Sequence, residues 1–178
     1  MALETPKWLQ AGVYPARLDR HVIEELFRSE NRVIRGMQVT PFAGGANFSV
    51  DITAGSAVVL GTTQADQGAY MIRSTAVENL VVPATPASAQ TDAIFAVVND
   101  PNAGGPAGDD FTFVYVSSGD PVPNDSIMLA EIARSPGESA IQAGAITDRR
   151  PLGEWSWTVG TGSPTHNAPN GDLYVQVS

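Results

Sequence analysis

The chain has 178 residues, of which 43% are hydrophobic and only 16% charged; this is enough for one domain with a real core and argues against wholesale disorder. Nineteen acidic against ten basic residues give a net charge of −9, which repels phosphate backbones and removes the main source of nucleic-acid affinity. The absence of cysteine excludes disulfides, thiolate catalysis and Cys-ligated zinc.

Residues 1–15 read as an irregular arm, broken by Pro6, Gly12 and Pro15. With no apolar run, the arm is not a signal peptide, and no stretch reaches the roughly 18 apolar residues of a membrane span. The arm carries Trp8, Leu9, Val13 and Tyr14, which need a surface to bury against. That surface is either the chain's own core or a neighbouring subunit.

Residues 19–29 predict a short helix with Asp19 as N-cap. Val22, Ile23, Leu26 and Phe27 form its apolar stripe. A helix this short must dock to persist.

From Arg32 the hydrophobic period becomes two. The run 47–53 alternates strictly, placing Phe48, Val50 and Ile52 on one face. Further strands are expected over 33–39, 56–60, 69–74, 76–82, 92–99, 111–117 and 127–133, with a weaker one at 145–147. In 111–116, Phe111, Phe113 and Tyr115 line one face and β-branched residues the other, as expected of a strand between two packed layers. Gly/Pro-rich turns separate these runs, at Gly44-Gly45, Ala54-Gly55, 83–86, 101–108, 119–123 and 135–137. This pattern predicts a mainly β fold: an antiparallel β-sandwich or barrel-like core at 31–150, behind an N-terminal arm and helix at 1–30.

Residues 151–178 form a Gly/Pro-rich C-terminal arm. Trp155 and Trp157 alternate, and a final strand carries Leu173, Tyr174 and Val175. Such a strand has no evident partner and would add to the main sheet or to another chain.

A search for chemistry yields little. The two histidines, His21 and His166, have no metal-ligand spacing, and no serine lies in a nucleophile motif. Asp109-Asp110 lacks the spaced oxygen ligands of a calcium loop. Asp51, Glu78 and Glu131 are the strand-borne carboxylates that a glycosidase pair would draw on, and Asp148 beside Arg149 and Arg150 reads as a structural ion pair. The expectation is a non-enzyme with no cofactor and no bound metal.

Residues 8–20, from Trp8 to Arg20, then 45–59, then 68–75, then 127–132 ahead of 146–150 occur in an order that resembles the N-terminal module of minor tail and fibre-like proteins of phages infecting actinobacteria. The likeness runs over nearly all of residues 8–150, and the segment 162–175 resembles a fibre-type junction. In that family the junction leads into further repeats or a host-binding tip, whereas this sequence stops there.

The resemblance implies a virion structural protein, assembled in the bacterial cytoplasm as a trimer and anchored to other tail proteins. The interface candidates are Trp8, Leu9, Val13, Tyr14, Val22, Leu26, Phe27, Trp155, Trp157, Leu173, Tyr174 and Val175. The alternative is a capsid decoration or head-fibre protein. A weaker one is a module that binds host-surface carbohydrate through Trp155 and Trp157.

Overall fold

The computed structural model describes residues 16–105, 108 and 110–152, together with the backbone of 158–160 and 174–176. Trp8, Leu9, Val13, Tyr14, Trp155, Trp157 and Leu173, along with Asp109 and His166, lie outside the described residues.

The fold is mainly β. Helix α1 (Ala16–Leu26) precedes strands β1 (Arg32–Arg35), β2 (Val39–Pro41), β3 (Ser49–Ile52), β4 (Gly55–Leu60), β5 (Ala69–Ser74), β6 (Glu78–Val81), β7 (Gln90–Asn99), β8 (Asp110–Val116), β9 (Ser126–Arg134) and β10 (Ile146–Asp148). They form three antiparallel sheets, β1-β4-β5, β2-β3-β6 and β10-β9-β7-β8. Among the described residues no sheet closes into a barrel. All three turn apolar faces to one sandwich-like core, in which Val33, Ile52, Val59, Ile72, Ile94 and Leu129 are buried together. The alternation of the strands produces this directly, because every second side chain points inward.

Helix α1 begins three residues before the expected start, so Asp19 sits in its first turn. There its carboxylate complements the positive end of the helix dipole. The helix closes through Arg28 and Ser29, both at positive φ, with Ser29 N–H donating to the Glu24 carbonyl at 2.9 Å. The docked face is also rotated from the expected stripe. Leu18 is buried, Val22, Ile23 and Phe27 are half-buried, and Leu26 is 68% exposed.

The helix lies against β5, and one glycine permits the approach. At Gly68 (φ +79) an added Cβ would meet the Arg20 Cβ at 2.7 Å.

Two expectations for the strands are corrected. The run 33–39 is two strands, because Gly36 and Met37 both take positive φ and send the chain from one sheet to the next. Among the described residues, strand β8 is a sheet edge, bonded to β7 alone. Its aromatic face packs on the core while Thr112 on the other face is exposed. Strand β7 lies between β9 and β8, and its residues Ile94 to Val98 are all buried. Its outward Phe95 and Val97 are as buried as the core face.

Near the C-terminus, β12 (Tyr174–Gln176), which carries Tyr174 and Val175, pairs in parallel with β11 (Thr158–Gly160) of the same chain. The last strand therefore has a partner of its own, contrary to the expectation.

Candidate functional site

Three strand edges come together on one side of the body. Strands β5, β6 and β8 each have one hydrogen-bonded neighbour and one open edge among the described residues. A cleft of about 530 Å³ lies between α1, β5 and the ends of β7 and β8, lined by Arg20, Tyr70, Met71, Asp100 and Phe111 among others. A second, of about 490 Å³, continues between β5, β6 and β8 past Arg73, Glu78, Leu80 and Phe113. Met71, Val77 and Val81 are exposed on or beside these strands. Open edges with apolar side chains next to them are where a second chain can add.

The polar groups at the head of the first cleft are already committed to one another. The Tyr70 hydroxyl donates to Asp100 Oδ2 at 2.7 Å, and Gln67 Nε2 donates to the Tyr70 oxygen at 2.8 Å. Arg20 stacks over the Tyr70 ring at 5.0 Å and donates from Nε to the Gln67 carbonyl at 2.7 Å. Gln67 Nε2 also donates to Asp125 Oδ2 at 2.9 Å. Asp125 is nearly fully buried and accepts further from the Thr62 and Thr63 N–H groups and from the Thr63 hydroxyl.

These contacts set the titration of the network. Burial pushes the Asp125 carboxyl up, but the Thr62, Gln67 and Thr63 hydrogen bonds outweigh it and hold the group below its ordinary value. The Tyr70 hydrogen bond likewise lowers Asp100, while burial raises Tyr70. The network fastens α1, the 61–68 turn and the loops before β8 and β9 into one piece.

A second buried cluster stands at the end of β9. Arg134 donates to Glu138 and, at 2.9 Å, to the Pro83 carbonyl, and lies 3.6 Å from Asp92. Asp92 accepts from the Tyr115 hydroxyl, from Ser118 N–H at 2.8 Å and from Gln90 Nε2 at 2.8 Å. Burial raises the Tyr115 phenol, and its hydrogen bond to Asp92 raises it further. Arg134 and Asp92 each hold several of the other members, which ties the end of β9 to the loops around it.

Of the carboxylates nominated from sequence, Asp51 lies on β3 and Glu78 on the neighbouring β6. Asp51 accepts from Asn79 Nδ2 and from the Ala43 N–H, both at 2.9 Å. Glu131 sits on another sheet and pairs with Arg149 at 2.8 Å. Asp148 pairs with Arg150 at 2.6 Å, the structural bridge expected, and Arg150 also donates to the Gly36 carbonyl.

His21, on α1, stands between two carboxylates. Its Nδ1 is 3.2 Å from Glu24, and its Nε2 is 3.0 Å from Asp66, in the turn before β5. Among the described residues no cluster of three or more metal-ligating side chains occurs, and no described helix is long and apolar enough to cross a membrane.

Of the nominated interface residues, only Val22, Leu26 and Phe27 have described side chains, and they share α1. The open edges and the two clefts escaped the sequence reading, because which strands become edges is decided by pairing between distant segments. In comparisons with known proteins, no family model, no curated protein and no solved structure matches the chain.

Proposed function

We propose that this chain is a non-enzymatic structural protein of a tailed-phage virion, a minor tail or baseplate-fibre-type component that assembles as a homotrimer. The observation that carries the reading is the side of the body formed by β5, β6 and β8. Three strand edges that are open among the described residues, with Met71, Val77 and Val81 exposed on or beside them, adjoin a core whose buried charges are spent on internal ties. A rigid block with unsatisfied edges is what an assembly subunit requires. The ordered resemblance of residues 8–150 to tail and fibre modules supports the same reading.

The β core is the rigid body, and residues 1–15 with α1 are its anchor. Light scattering coupled to size exclusion tests the oligomer; the expected mass is that of three 18.7 kDa chains. A clean monomer at all concentrations would overturn it. A chain lacking residues 1–15 should remain folded but fail to enter particles, and normal incorporation would end the anchoring role. Labelled antibody on virions should mark the tail. Label confined to the capsid at tens to hundreds of copies would transfer the protein to the head.

A further inference from the structure

Arginines in this chain are scarce and nearly all accounted for. Arg17, Arg20, Arg32, Arg134, Arg149 and Arg150 each face a carboxylate. Among the described residues, Arg35 and Arg73 make no side-chain hydrogen bond and no ion pair, although carboxylates outnumber cations almost two to one. These two stand on a single row of one sheet. After a register shift between Val33 and Arg35, Arg35 on β1 is the register partner of Ser56 on β4, and Ser56 is the register partner of Arg73 on β5.

Neighbouring strands lie about 4.8 Å apart, so the two arginine backbones are about 10 Å apart with Ser56 between them. That separation lets two long side chains converge. The alternation along β4 puts Ala57 and Val59 in the core and therefore Ser56 on the outer face, where its hydroxyl too has no hydrogen-bond partner among the described residues. Both arginines are exposed, and they line one cleft of about 190 Å³ with Gly36, Ala54, Gly55, Ser74 and Thr75. Glu78 lines the adjoining cleft with Arg73 but makes no ion pair with it.

We infer that Arg35 and Arg73, which line this cleft together, form a binding site for a single phosphate-type oxyanion. Two guanidinium groups lining one cleft are best matched by an acceptor with oxygens for both. A tetrahedral phosphate offers this, whereas one planar carboxylate is satisfied by a single arginine fork. The cleft is of a size for one such group. The net charge of −9 disfavours indiscriminate anion binding, so an anion held here is held by local geometry. This site is independent of the assembly reading above and would stand if that reading fell.

The test is titration of the full chain with inorganic phosphate, against chloride at matched ionic strength, followed by calorimetry and by phosphorus NMR. Saturable binding is expected, weakened at least about tenfold in Arg35→Gln and in Arg73→Gln, since each removes a charge-assisted hydrogen-bonding group. Arg149→Gln, on a different sheet, should bind as the wild type does. Circular dichroism of each variant separates lost binding from lost folding. Glycerol 3-phosphate and dimethyl phosphate distinguish the source: binding of the monoester alone points to a terminal or free phosphate, and binding of both to a phosphodiester chain. Phosphate no better than chloride, undiminished binding by both arginine variants, or acetate competing as strongly as phosphate would each overturn the site.

Discussion

Replacing Arg134 with methionine tests whether the charged cluster at the end of β9 holds the core together. Arg134 is 2% exposed and Asp92 1% exposed, so neither can turn to water when its partner is lost. Breaking a buried ion pair by removing one member costs about 3–5 kcal/mol. Asp92 would keep the Tyr115, Ser118 and Gln90 donors, which brings the expected cost to the lower end. Loss of the donor to the Pro83 carbonyl adds about 1 kcal/mol. Methionine fills most of the vacated volume, so the cavity contribution is small.

Arg134→Met should therefore destabilise the fold by about 3–4 kcal/mol, a large share of the 5–15 kcal/mol typical of a domain. Urea titration followed by far-ultraviolet circular dichroism would read it as a lower midpoint at unchanged slope. Adding Asp92→Asn should restore about 1–2 kcal/mol by removing the stranded charge. A loss below about 1 kcal/mol in the single variant, or a double variant worse than the sum of its singles, would refute the reasoning.

Asp100, Asp125 and Asp148 have folded-state pKa values held below the ordinary 3.8. Their contribution to stability is present above the unfolded value and is lost as pH falls from about 3.9 through the folded values. Tyr70 and Tyr115 are raised above 10.0, so their contribution is complete below pH 10 and is lost as pH rises through the folded values. Urea midpoints should accordingly be flat near neutrality and fall on both sides, with Asp125→Asn flattening the acid limb. Gly36→Ala should cost about 2–4 kcal/mol, because φ is +60 and the new Cβ would lie 1.9 Å from the Ala54 carbonyl oxygen. Gly144→Ala, with nothing within 4 Å, should change thermal stability by under about 0.5 kcal/mol. Leu26→Glu places a charge at a 68% exposed position; it should leave the unfolding midpoint unchanged and reduce the trimer mass in light scattering.

The strands were legible because their signal is local. Phe48, Val50 and Ile52 alternate, and Gly/Pro pairs bound the runs on both sides. Their arrangement was not legible. Nothing in 111–116 says that β8 is an edge, since its face pattern is that of a strand with one aromatic and one β-branched side in either setting. The break at Gly36-Met37 was hidden because Val33, Met37 and Val39 keep a period-two spacing across it, and Asp19 gave a capping signal that was also compatible with a first-turn position. Arg35, Ser56 and Arg73 stand 21 and 17 positions apart in sequence, and only sheet register makes them neighbours. The ties of Gln67 to Asp125 and of Arg134 to Pro83 span 58 and 51 residues, beyond any window of periodicity.

The opening strand of the core is clasped by the chain's later residues. Val33 N–H donates to the Pro151 carbonyl at 2.9 Å, Val33 bridges Leu152, and Asn31 donates to the Ser126 carbonyl at 3.0 Å. During synthesis β1 can pair with β4 early, but its other edge waits until about ninety residues beyond Leu60 have emerged. Such long-range closure slows folding and exposes unpaired edges meanwhile. A nascent chain of this kind is therefore most vulnerable to association with its neighbours just before Pro151 and Leu152 are made, when copies translated from one message are close together and the native clasp is not yet available.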